Sequence, residues 1–125
     1  MPRNAFNAKN TNPVGPYSHV AECEGLFFFS GQIGLDGATG KLVPGGIAAE
    51  TEQCFKNITA VLETAGLSEA DVLKVTVFLT DMGNFSAMNS IYEKYFSRPY
   101  PARSTIGVAS LPLGALVEIE LTARR

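Results

Sequence analysis

Histidine and cysteine are nearly missing from this chain: His19 is the single histidine, and Cys23 and Cys54 are the two cysteines. These three side chains cannot supply the ligands of a zinc site unless carboxylates join them, so no metal is expected. Cys54 falls on an apolar helical stripe and reads as a buried free thiol rather than half of a disulfide. A basic excess is missing as well. Lys and Arg number 10 against 12 Asp and Glu, a formal charge of −2, and the isoelectric point is near 5.3. Nothing in that balance suits a phosphate backbone, and nucleic acid is not an expected partner. The longest apolar run, Leu26 to Phe29, is far too short to cross a bilayer, and the first ten residues hold no apolar signal core. The expectation is a soluble cytoplasmic protein without a membrane partner. A nucleophile elbow, a phosphate-binding glycine loop, CxxC and HExxH are all absent, which leaves hydrolysis by those routes without support.

What is present suits a folded chain. The 125 residues are 46% hydrophobic and 18% charged, which excludes a disordered composition and predicts one domain over residues 1–125 with a core of its own. Residues 1 to 16 are polar and end in the turn signal Val14-Gly15-Pro16; Tyr17 to Glu22 and Gly25 to Ile33 then read as a hairpin. Gly34 to Gly46 reads as a glycine-rich loop with room for a short arm. From Ile47 the period becomes helical through Phe55, Ile58, Leu62 and Ala65, up to Gly66 as the terminating glycine. Ser68 to Asp71 looks like a capped turn, Val72 to Leu79 alternates as a strand, and Phe85, Met88, Tyr92 and Tyr95 mark a second helix ended by Pro99. Two strands close the chain, Arg103 to Val108 and Leu116 to Ala123, around a turn at Pro112 and Gly114.

The order ββ-α-β-α-ββ predicts an α+β fold, a mixed sheet with both helices packed on one face. Yet Leu26 to Phe29 is apolar on both faces, and Phe78 lies opposite Val75, Val77 and Leu79. The helix-free face therefore carries large apolar groups that another subunit would cover. Alternation in the closing strands assigns Ser104, Ile106 and Val108 to the helix side with Val117, Ile119, Leu121 and Ala123. The same rule assigns Arg103, Thr105 and Gly107 to the open side with Glu118, Glu120 and Thr122. Charges on a covered face need partners. Spacing alone leaves two readings open, an Arg103–Glu118 or Arg103–Glu120 ion pair that registers an interface, and a ligand site in which the guanidinium grips a carboxylate through two parallel hydrogen bonds. Other polar positions are equally two-sided. Ser30-Gly31-Gln32 suits a strand end or a ligand approaching the backbone at Gly31. Tyr17 reads as a core aromatic with a wet hydroxyl, His19 as structural, and Asn89 as a helix boundary residue.

Several segments taken together resemble a known family. Pro101 to Pro112 (PARSTIGVASLP) followed by Val117-Glu118-Ile119-Glu120 is similar to the C-terminal signature of the RidA family (YjgF/L-PSP proteins), the reactive enamine/imine deaminases. Gly15-Pro16-Tyr17-Ser18, Ser30-Gly31-Gln32-Ile33, Ala65-Gly66-Leu67, Val75-Thr76-Val77-Phe78 and Asn89-Ser90-Ile91-Tyr92 resemble family segments in the same order. The resemblance implies a chorismate-mutase-like fold, a homotrimer with clefts between subunits, and cofactor-free hydrolysis of 2-enamino or 2-imino acids such as 2-aminoacrylate to 2-oxo acids and ammonia. It further implies that Arg103 holds the substrate carboxylate and Glu118 positions the attacking water, with Tyr17, Ser30, Gly31, Asn89 and Thr105 lining the cleft. Many members have cysteine where this chain has Thr105, so thiol-dependent roles do not carry over. Beside Arg103, Glu118 is expected to stay ionised at neutral pH. Two other functions accompany the resemblance: an endoribonuclease or translation inhibitor of the L-PSP type, which the single histidine and acidic balance disfavour, and a non-catalytic carboxylate-binding regulator, which the presence of Glu118 disfavours.

Overall fold

The structure, a computed structural model, describes residues 2–8, 13 and 15–125. Val14 of the anticipated turn signal lies outside the described residues. Among the described residues, eight strands and two α-helices follow the predicted α+β order. The hairpin is β2 (Val20–Cys23) and β3 (Leu26–Ile33), turning at Glu24 and Gly25, both with positive φ. It is preceded by a strand that the polar N-terminal sequence does not announce, β1 (Asn4–Phe6), which pairs antiparallel with β2 and leaves its three residues exposed. Within the predicted loop, β4 (Leu35–Asp36) and β5 (Lys41–Leu42) form a separate two-stranded ribbon, the short arm for which that stretch has room.

Helix α1 runs Gly46–Thr64 and buries Thr51, Cys54, Phe55, Ile58, Val61 and Leu62, a stripe at three- and four-residue steps. It stops because Gly66 takes a φ of 75° that other residues resist. The Gly66 amide donates to the Glu63 carbonyl and the Leu67 amide to that of Leu62, which satisfies two carbonyls the helix would otherwise leave bare. The Ser68–Asp71 turn then forms, with the Ser68 amide donating to Asp71 Oδ2 at 2.8 Å. Strand β6 (Val72–Leu79), helix α2 (Phe85–Tyr95), β7 (Ala102–Gly107) and β8 (Val117–Arg124) complete the chain.

The main sheet has the order β1-β2-β3-β8-β6-β7. Only β6 and β7 run parallel, because α2 carries the chain back to the start of the sheet between them. Val20, Phe27, Phe29, Val75, Val77, Leu79, Val117, Ile119, Leu121 and Ala123 are buried with the apolar stripes of α1 and α2. The other face is open. There Phe28 is 55% exposed and Ile106 44%, whereas the adjoining Phe27 is 2% exposed, so the sheet is apolar on both sides as anticipated.

Candidate functional site

Strand register decides which polar groups meet. Glu118 pairs with Phe78 on one side and Ile33 on the other, and so lies on the open face. Beside it β3 bulges between Phe29 and Gln32, at Ser30 and Gly31. Gly31 is where the Glu118 side chain comes down onto the backbone: a Cβ at residue 31 would sit 2.8 Å from Glu118 Cδ. Burial raises the Glu118 carboxyl above its ordinary value and the charge of Glu120 raises it further. Arg103 has no part in this shift, so the expected support of Glu118 by the Arg103 charge is not met within one chain.

The reason is the position of Arg103. In the parallel register Arg103 pairs with Val75 and Thr105 with Val77, both core residues, so these two side chains point to the helix side. Ser104 and Ile106 occupy the open side, opposite Thr76 and Phe78. The alternation in β7 is thus inverted relative to the expectation. Arg103 points inward because α2 offers it partners, and Ile106 points outward beside Phe78 on the open face. An Arg103–Glu118 or Arg103–Glu120 ion pair within the chain is excluded.

What receives Arg103 is a face of α2. Its Nη1 donates to Asn89 Oδ1 at 2.7 Å, and its Cζ lies over the Tyr92 ring at 4.5 Å and the Phe85 ring at 5.5 Å. The guanidinium has no carboxylate partner among the described residues. Thr105 Oγ1 on the same side of β7 is buried without a hydrogen-bond partner among the described residues, as is the Tyr92 hydroxyl. Asn89 is thus a ligand of the arginine more than a boundary residue, a role that its position at the edge of an apolar stripe does not reveal.

The remaining predicted residues gather at the other end of the sheet. Tyr17 is 46% exposed rather than a core aromatic. With Arg3, Pro16, Ser18, Phe28 and Ser30 it lines an open cavity of about 440 Å³, and Ser30 Oγ donates to the Ser18 carbonyl at 2.7 Å. Arg3, which precedes β1, joins this lining with no signal in the sequence around it. His19 is structural: its Nδ1 accepts from the Ala8 amide at 3.0 Å, and burial lowers its pKa. Cys54 is a buried free thiol whose Sγ donates to the Gln32 carbonyl, and burial pushes its pKa far up. Among the described residues no group of three or more His, Cys, Asp or Glu is placed to hold a metal ion, and no helix is long and apolar enough to cross a membrane.

Within one chain these two groups of polar residues stay apart. Arg103 is level in register with Phe29 but three strand spacings away, about 14 Å. That is too far for one small molecule to touch both the Arg103–Asn89 group and the Ser30–Gly31–Glu118 group of the same chain.

Comparison with known proteins gives consistent matches over nearly the whole length. A family profile described as Endoribonuclease L-PSP matches residues 7–125. A RutC family protein of Aquifex aeolicus is 50% identical, with 89% of this chain and 90% of that protein covered. A protein of Capra hircus named 2-iminobutanoate/2-iminopropanoate deaminase is 44% identical over 93% of this chain and 85% of its own length. Among solved structures, a protein of the conserved Rid family from Yersinia pestis superposes with a TM-score of 0.95 at 42% identity, covering 99% of this chain and 100% of that one.

Proposed function

The chain belongs to the RidA family, whose profile carries the description Endoribonuclease L-PSP, and on that footing we propose that it is a cytoplasmic deaminase of reactive 2-enamino and 2-imino acids. It works as a homotrimer of one domain per chain, residues 1–125. Each site closes where the Arg103, Asn89 and Thr105 edge of one copy meets the Tyr17, Ser30, Gly31 and Glu118 surface of the next. The observation that carries this reading is a pair of complementary deficits: a half-buried arginine held without a carboxylate, and a half-buried carboxylate pushed toward neutrality without a cation. Relatives 42–44% identical that are named 2-iminobutanoate/2-iminopropanoate deaminase support it.

The chemistry asks little of the protein. An imine carbon conjugated to a carboxylate is already electrophilic. Arg103 grips the carboxylate through its free N–H groups, and Glu118 of the neighbouring copy, its carboxylate form favoured by that cation, aligns a water on the imine carbon. Addition of water gives a carbinolamine. Transfer of the water proton to nitrogen by way of Glu118 lets the C–N bond break, releasing ammonia and the 2-oxo acid. Proximity and one proton relay suffice, and neither a cofactor nor a metal takes part.

The ribonuclease reading draws on the profile's description. It would need an acid/base pair beside a phosphate-binding patch, whereas the single histidine is buried with Nδ1 occupied. The deciding experiment couples the protein to a pyridoxal-phosphate dehydratase that releases 2-aminoacrylate and follows imine loss and ammonia. Acceleration over the spontaneous rate supports the deaminase. No acceleration, together with cleavage of RNA by nuclease-cleared protein that Arg103→Ala abolishes, overturns it in favour of the nuclease.

A further inference from the structure

Three side chains of α2, at steps of four and three, converge on one guanidinium. Phe85, Asn89 and Tyr92 share a helix face, and that face is turned to the edge strand that carries Arg103. The contacts divide the work. Asn89 takes one N–H at 2.7 Å. The Tyr92 and Phe85 rings lie under the cation at 4.5 and 5.5 Å. A ring face attracts the guanidinium without consuming an in-plane N–H, so this cradle restrains the group and leaves its other donors free. A carboxylate-bearing partner, such as Asp at position 89, would restrain it equally well but would compete with a bound anion.

Tyr92 is the informative member. It is 5% exposed, packed edge-on to Phe55 and close to Phe96, and its hydroxyl is buried with no hydrogen-bond partner among the described residues. The hydroxyl therefore earns nothing in this arrangement, and the ring face is what meets Arg103.

We propose that Tyr92 and Phe85 are positioning residues for Arg103, two aromatic faces that fix the guanidinium in its carboxylate-gripping orientation before substrate arrives, with Asn89 setting its rotation. The proposal rests on the reading of Arg103 as the carboxylate-holding group. Preorganisation of this kind lowers the rotamer freedom that the long arginine chain would otherwise lose on binding.

The test measures binding without turnover, so that it does not depend on the deaminase assignment. Titration calorimetry with 2-oxobutanoate, a carboxylate that does not react, is run on the assembled wild type and on Tyr92→Phe, Tyr92→Leu and Phe85→Leu, with folding checked by circular dichroism. Tyr92→Phe keeps the ring and is expected within about 2-fold of wild type, whereas Tyr92→Leu and Phe85→Leu weaken binding about 5- to 20-fold, the 5.5 Å contact losing less. In steady state the loss falls on KM with kcat changed less. In an Arg103→Ala background Tyr92→Leu adds no further loss, which a merely structural role would not produce. Wild-type affinity in folded Tyr92→Leu and Phe85→Leu overturns the proposal. So does a loss in Tyr92→Phe as large as in Tyr92→Leu, additivity with Arg103→Ala, or no binding of 2-oxobutanoate by wild type. Retained coupling in a protein that fails to hydrolyse 2-aminoacrylate would leave the cradle standing and remove only the deaminase.

Discussion

Two inactive variants should restore activity to each other. Arg103 and Glu118 point to opposite faces of the sheet, separated by two strand spacings and three residues of register, a Cα offset of about 14 Å. No small imino acid bridges them within a chain. If sites close cyclically, each contact sets Arg103 of one copy against Glu118 of the next. Arg103→Ala removes a charge-assisted grip of about 2–4 kcal/mol, hence about 30- to 1,000-fold in kcat/KM, and Glu118→Gln removes the proton relay. When the two chains are unfolded together at equal amounts and refolded, each contact draws its members independently. About a quarter of the contacts then pair an intact Arg103 with an intact Glu118 in the productive order. The expected recovery is about 25% of wild-type activity by coupled imine loss, falling away symmetrically as the mixing ratio departs from one to one. Mixed assemblies seen by native mass spectrometry, yet no more active than the mean of their parents, would refute the two-chain site.

Three further outcomes follow from single contacts. Arg103→Lys keeps the charge but loses the fork and its seat on two rings, and is expected to retain under about a tenth of kcat/KM while the assembly persists in light scattering. Gly31→Ala places a methyl against Glu118 Cδ; the carboxylate must swing away, so kcat falls about 10-fold or more with the thermal melt moved by only a few degrees, and wild-type kcat would contradict this placement. Burial lowers the pKa of His19, so the unfolded chain takes up that proton first: stability is complete above about pH 6.5 and declines as pH drops below it. Melts from pH 8 to 5.5 should show that decline in wild type and lose it in His19→Gln, and parallel curves would rule it out.

Element types were legible wherever one face is buried and the other is not. The α1 stripe, the Gly66 stop and the β6 alternation each follow from a single period with a single apolar side. Strand β1 was invisible because its three residues are all exposed and carry no alternation. The two faces of β7 were exchanged for a related reason. Alternation reports which residues are apolar, and inward orientation follows only when the outward side is water. Here the outward side is an apolar sheet face, so Ile106 gains by pointing out beside Phe78. On the inward side, Arg103 gains an amide and two rings that lie 11 to 18 residues away in sequence and leave no local signature. Glu118 and Gly31 do come together in the fold, while the distance between them and Arg103 required the sheet order.

That inversion changes what assembly does for the chemistry. Had Arg103 and Glu118 shared a face, one chain could have formed the ion pair alone, and the cation would have held the carboxylate ionised at the expense of its own N–H groups. With the two on opposite faces, the isolated chain keeps its arginine on a neutral amide and two rings, and keeps its carboxylate partly desolvated beside Glu120. In the proposed trimer the next copy, closing over the open face, would cover Phe28 and Ile106 and deliver a cation toward Glu118 in the same step. On the proposed trimer, support for the ionised form of the water-orienting group and closure of the site become one event, and a dissociated chain has neither a cation beside Glu118 nor the second half of its pocket.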